Sequence, residues 1–154
     1  MYNNNNGANQ NGRSSQYSGG NNGYNSVSAP SRAMTLPENY VDEAERIMQI
    51  ITQNNNSITT SKIRRIYNLI CEIYNTENLR CDSQLAPESK TALNMARVRI
   101  AYEAGRDAKV KDFIDKTHII EYIKGINSRE NFINFARYME ALLAYHKFYG
   151  GKEP

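Results

Sequence analysis

The sequence predicts an all-α fold: a single compact bundle of about five helices behind a disordered N-terminal tail. Three observations predict it. Apolar residues recur at three- and four-residue spacing almost without interruption from residue 36 to 149, the period of a helix with one buried side. Capping residues and glycines punctuate those runs. Residues 1–34 hold five of the nine glycines and almost no aliphatic side chains, too little apolar surface to offset the entropy of ordering the chain. The expected division is a disordered Asn/Gly/Ser-rich tail over 1–34 and a helical domain over 35–152. In the tail, Tyr2, Tyr17 and Tyr24 stand among Asn and Gly. That composition suits a solvated tail, or weak contacts with RNA or with other copies.

The first helix is predicted from a capping box, Thr35-Leu36-Pro37-Glu38, with proline in its first turn. Val41, Ala44, Met48 and Ile51 then repeat at helical spacing, and Asn54-Asn55-Asn56 ends the run. Thr59 is the N-cap of the second helix, and Ile58 and Ile63 occupy the two positions of a hydrophobic staple. Its stripe is Ile63, Ile66, Tyr67, Ile70, Ile73 and Tyr74, with Arg64, Arg65, Asn68 and Glu72 on or beside the other face. Residues 77–87 read as a loop. The third helix spans about 87–104 and has two apolar stripes: Leu93, Ala96, Ile100 and Ala104 form one, Met95, Val98 and Tyr102 the other. A helix apolar on two sides is expected at the centre of a bundle, and Gly105 is expected to cap it.

The fourth helix is predicted over about 108–124, capped by Asp107 and stopped by Gly125. Ile119 and Ile123 drift away from the side that carries Val110, Phe113, Ile114 and Thr117, so a bend is expected there. Asn127-Ser128-Arg129-Glu130 starts the last helix. Phe132, Phe135, Met139, Leu142, Leu143, His146 and Tyr149 share its core face. Arg137, Ala141, Ala144 and Phe148 share the opposite one, where two alanines beside a phenylalanine suggest a second close contact. Gly150-Gly151 ends it.

Composition narrows the function. No run approaches the ~20 apolar residues of a membrane helix, and the N-terminus carries no apolar signal segment. Cys71 and Cys81 match no metal-binding or redox spacing, so neither zinc nor a disulfide is expected, and a cytoplasmic setting fits. No catalytic constellation stands out. His146 lies inside an apolar stripe, and His118 lies beside Lys111 and Asp115 on an exposed face. Two histidines on different elements do not make a metal site. Asp112 and Asp115 read as solvated charges. The glycines after the tail sit at helix ends, not in a phosphate loop.

The net charge is only +3, but its distribution is uneven. Lys62, Arg64 and Arg65 lie in the first turns of the second helix, where the helix dipole disfavours cations and a bound anion would account for them. Arg97, Arg99, Arg106, Lys109 and Lys111 cluster around the turn at Gly105. Pairing within the helices, Arg99 with Glu103 and Lys111 with Asp115, is the competing explanation.

Five segments carry a resemblance: ENYVDEAERIM (38–48), ITTSKIRRIYNLI (58–70), RVRIAYEAGRD (97–107), VKDFIDK (110–116) and FARYMEALLAYHKFYGGK (135–152). In order and spacing they resemble the small subunit of type III-A (Csm) CRISPR effector complexes. The likeness covers about 38–152 and leaves the tail outside. It implies an all-helical bundle with no catalytic activity and no cofactor. Several copies would stack beside the backbone subunits that hold the crRNA, along the bound target RNA. RNA cleavage would belong to the backbone subunit, and DNA cleavage and cyclic oligoadenylate synthesis to the large subunit. This chain would support the crRNA–target duplex and help sense complementarity. Carried over by position, the RNA-facing candidates are Lys62, Arg64, Arg65, Arg97, Arg106 and Arg137. With Arg99, Lys109 and Lys111 from the charge pattern, they make the candidate RNA-binding set. The alternative class is a stand-alone helical nucleic-acid-binding regulator, with TTSKIRRIYNLI as part of a helix-turn-helix. The long segment 77–87 that follows counts against it.

Overall fold

The computed structural model of the chain describes residues 29–55 and 57–153, and these form an all-α bundle. Its elements are α1 (Tyr40–Thr52), α2 (Thr60–Glu77), α3 (Pro87–Arg106), α4 (Ala108–Thr117), α5 (Ile119–Gly125) and α6 (Arg129–Phe148). Most of the expected tail, residues 1–28, lies outside the described residues. Its last part does not hang free. The Met34 amide donates to the Glu121 carbonyl at 2.9 Å, and Lys124 donates to the Ser31 carbonyl at 2.6 Å and to its hydroxyl at 3.0 Å.

This strap corrects the expected start of the first helix. A box capped by Thr35 would need Leu36 in helical geometry, which the ring of Pro37 disfavours. Residues 35–37 lie outside any helix instead, Leu36 packs against the core, and α1 begins at Tyr40. Val41 is exposed. The side that turns inward carries Ala44, Met48 and Ile51, with Tyr40 and Ile47 partly buried beside them.

Among the described residues six helices stand where about five were expected, because the predicted bend at the end of the fourth is a break. His118 adopts a left-handed conformation, φ 52°, between α4 and α5. The Thr117 carbonyl, which a continuous helix would bond to the Glu121 amide, accepts the Tyr138 hydroxyl at 2.9 Å. The break turns Ile119, Tyr122 and Ile123 toward the core. Gly105 also departs from its expected role: it lies inside α3. The helix stops at Asp107, whose extended backbone ends α3 and whose carboxylate starts α4 by accepting the amides of Lys109 (2.9 Å) and Val110 (3.4 Å).

The centre of the bundle is α6, not α3. α6 packs against α1, α2 and α5. Beyond the expected stripe it also buries Ile133, Ala136 and Tyr138. α3 packs against α2, α4 and α5 through Leu93, Ala96 and Ile100. Its second apolar stripe is exposed: Met95 is 49%, Val98 56% and Tyr102 66% accessible.

Two buried polar knots fasten the connections. Glu77, fully buried at the end of α2, accepts from Arg80 at 2.9 Å and from the Ala86 amide at 3.1 Å, and so folds the segment 78–86 over the end of α2. Burial pushes its carboxyl up, but the bonds from Ser89, Ala86 and Arg80 outweigh that and leave it below its ordinary value. At the other end, Gly150 takes φ 76°, and the Gly151 amide bonds the His146 carbonyl at 2.8 Å, a glycine-type helix ending. The Lys152 carbonyl then accepts the Thr60 amide at 2.8 Å. Thr59 stands at the N-cap position of α2, but its side chain makes no capping bond. The returning C-terminal segment supplies the acceptor.

Candidate nucleic-acid interface

Lys62 and Arg65 of the second helix meet Arg106, from the cluster near Gly105, in space. The first turns of α2 lie against the α3–α4 junction, where Lys62, Arg65, Glu103, Arg106 and Asp107 line one cleft. Lys62 is tied to the Asp107 carboxylate at 2.5 Å. That hydrogen bond, with the Lys109 and Val110 amides, holds the Asp107 carboxyl below its ordinary value against partial desolvation. Much of the dipole penalty on a cation in the first turns of α2 is therefore met by a carboxylate from another element.

Arg65 and Arg106 share Glu103, each at 3.7 Å. Both arginines remain mostly exposed, and 3.7 Å is outside hydrogen-bond range. Their guanidinium hydrogens stay available for another acceptor. Arg106 also lies 5.5 Å from the centre of the exposed Tyr102 ring. Arg64 is exposed on the neighbouring face of α2 and forms no ion pair within 4 Å among the described residues. Arg99 is exposed too, and the expected Arg99–Glu103 pair does not form. At about 100° per residue, Arg99, Tyr102 and Arg106 share one stripe of α3.

The other candidates separate. Nine residues at about 100° each place Arg97 about 180° around α3 from Arg106. So these two are not neighbours around the Gly105 turn, as the charge pattern suggested. Arg97 stands instead with Lys90 of α3 and Lys124 of α5. Lys111 is held by Asp115 at 2.6 Å, the pairing within the helix weighed for it, and Asp112 pairs with Lys116 in the same way. Lys109 is half-buried, and the contact it makes is through its amide, with Asp107. Arg137 points outward from α6, beside Tyr67, Cys71 and Tyr74 toward the far end of α2. It is exposed and remote from the Lys62 cleft.

Sequence reasoning named Asp107 as a cap and Glu103 as a partner of Arg99 but did not place them in this cleft, and it missed Lys90 and Lys124. The helical spacing Lys90–Asn94–Arg97 was a readable signal. Lys124 reaches the same place only because α4 breaks.

The histidines take no part. His146 is fully buried, its Nε2 lies 3.1 Å from the Ile58 carbonyl and its Nδ1 3.2 Å from the Thr60 hydroxyl. Burial pushes its imidazole below 6.5. His118 is exposed on the break before α5, edge-on to Tyr122. Among the described residues no three or more His, Cys, Asp or Glu are grouped to hold a metal ion. No helix among them is long and apolar enough to cross a membrane.

Residues 35–152 match the family described as Csm2 Type III-A. The chain is similar to the CRISPR system Cms protein Csm2 of Streptococcus thermophilus, 41% identical over 124 residues that span 79% of this chain and 99% of that protein. It is 31% identical to the corresponding Mycobacterium tuberculosis protein over 120 residues, 77% of this chain and 97% of the relative. The Enterococcus italicus protein of the same name is 35% identical over 97 residues, 61% of this chain and 69% of its own length.

Proposed function

This chain belongs to the Csm2 family of type III-A CRISPR systems, and we propose that it serves there as a non-catalytic structural subunit that contacts RNA. Several copies stack along the crRNA–target duplex beside the backbone and large subunits, in the cytoplasm, and help register how well target and guide pair. In a guide-directed complex, base pairing reads the sequence and protein side chains touch the backbone. The observation that carries this reading is the meeting of Lys62 and Arg65 of α2 with the sequence-distant Arg106 of α3 at the α2/α3–α4 cleft. There Arg65 and Arg106 hold their nearest carboxylate only loosely, beside an exposed Arg64. A modest charge per copy is adequate when copies act jointly along one duplex.

The stand-alone regulator gains no support from the fold. Residues 78–86 separate α2 from α3, where a helix-turn-helix has a turn of three or four residues.

The test is a complex carrying Arg64→Ala, Arg65→Ala and Arg106→Ala, with its subunit and crRNA content verified. Target affinity is expected to fall about equally for every target sequence, since phosphate contacts carry no base information. The slope of log affinity against log salt should become shallower by about 0.7 for each single-strand phosphate that is no longer neutralised. Unchanged affinity and slope in an intact complex overturn the reading.

A further inference from the structure

The face of α3 turned away from Arg106 carries a groove of different character. Lys90, Asn94 and Arg97 line it from α3, and Lys124 and Asn127 from the end of α5 and the turn beyond. Leu93 and Ile123, both buried, form its floor. Among the described residues no carboxylate lines it, unlike the cleft at Lys62. Glu88 and Glu103 of α3 fall about 180° and 120° around the helix from Arg97. Glu121 of α5 is half-buried and acts on Lys111 of α4.

The cations are also placed to act. Among the described residues Lys90 and Arg97 form no ion pair within 4 Å. Lys124 spends two ammonium hydrogens on Ser31. That fixes the head group and leaves the third hydrogen for another acceptor. Like charges gathered without a counter-charge repel one another, so an anion in the groove relieves a standing cost.

We infer that this α3–α5 groove is a second phosphate-binding site, holding the backbone of an RNA strand through Lys90, Arg97 and Lys124. The inference rests on the RNA-contacting role proposed above and adds a site on the opposite side of α3. Spacing selects a polyanion over a free phosphate ion. Lys90 and Arg97 lie seven residues, about 10 Å, apart along the helix, and with Lys124 they spread the positive charge along the groove as successive phosphates of a strand require. Asn94 and Asn127 add amide donors on the rim. One copy can then engage RNA from both sides of α3.

The test compares three complexes with the wild type: Lys90→Ala with Arg97→Ala, the Arg64/Arg65/Arg106 alanine set, and both sets together. Target affinity is measured at several salt concentrations, with crRNA and subunit content determined for each. The groove pair is expected to make the salt slope shallower by about 1.4 for every copy that touches a single strand, and the combined set by more than either alone. Lys90→Arg with Arg97→Lys should restore the wild-type slope. Loss of crRNA with all protein subunits retained also supports the inference and makes the guide the bound strand. A slope changed by the first set but not by the groove pair overturns the groove and leaves the proposed function standing. If neither set has an effect, both fall. If the groove pair ejects a protein subunit while the guide stays bound, the groove is a protein interface and the inference is wrong.

Discussion

α3 and α6 have the same length, twenty residues, and contribute to the molecule in opposite ways. α6 buries eight side chains and α3 four, which makes α6 the axis of the bundle and leaves α3 more open to solvent. The difference is not one of apolar content alone. α6 buries Tyr138 and His146 because their polar atoms find partners inside: the Thr117 carbonyl, the Ile58 carbonyl and the Thr60 hydroxyl. A buried polar group with partners costs little, and one without them costs a great deal. α3 carries Arg99 and Arg106 exposed and Arg97 half-buried beside α5, and its Met95, Val98 and Tyr102 stay in solvent. Which helix becomes the core is thus decided by where the polar atoms of each can be satisfied.

That contrast can be broken by substitution, beginning with the axis. Leu142 is fully buried in α6, so Leu142→Ala is expected to cost roughly 2–5 kcal/mol in denaturant unfolding. A cost near zero would remove α6 from the centre. Next comes the latch at the end of that helix. A Cβ on Gly151 would overlap the His146 ring, and Gly151→Ala is expected to cost about 1–3 kcal/mol, as overpacking does. An unchanged midpoint would mean that the C-terminal segment does not rest on His146.

Tyr138→Phe keeps the ring and leaves the Thr117 carbonyl without its donor. The expected cost is about 1–3 kcal/mol, the range for a buried group left unsatisfied. It should also relax the break between α4 and α5, read as faster amide exchange at Ile119–Tyr122. The pH dependence sharpens the same point. His146 has a folded pKa below 6.5 because burial disfavours its charged form. The unfolded chain therefore takes up that proton first as pH falls, and stability declines from about pH 6.5 downward while staying level above it. Glu77 and Asp107, whose pKa values are also lowered, add their losses only further into acid, below 4.5 and 3.8. Thermal midpoints between pH 5 and 8 should show the first decline in the wild type and not in His146→Gln. The smallest effect belongs to α3: Met95→Ala should lie within about 0.5 kcal/mol of wild type. A loss like that of Leu142→Ala would mean that the exposed stripe is covered in the isolated chain.

Much of this was readable before the fold. The core stripe of α6, the Ser128 cap, whose hydroxyl does accept the Asn131 amide, the Asp107 cap and the glycine ending all follow from local chemistry. The roles of α3 and α6 did not. Met95, Val98 and Tyr102 look the same in sequence whether a neighbour covers them or water does, and Tyr138 gives no sign that a carbonyl waits for it two helices away. The candidate site divides in the same way. Its cations were visible as clusters, but Glu103 and Asp107 as their counter-charges are tertiary facts. The half-turn between Arg97 and Arg106 was computable from spacing. The arrival of Lys124 beside Arg97 depends on the break at His118, which spacing announces only as a bend.

The proposed function rests most on α3 being the surface that meets RNA. The direct measurement is photocrosslinking of a 4-thiouridine-substituted target RNA to the assembled complex, with adducts mapped to peptides of this chain. Adducts are expected in peptides from 62–65 and 97–106, weakened by the Arg64, Arg65 and Arg106 alanine substitutions, and none on the buried stripe of α6. Crosslinks to the backbone subunits with none to α2 or α3 of this chain would contradict that role.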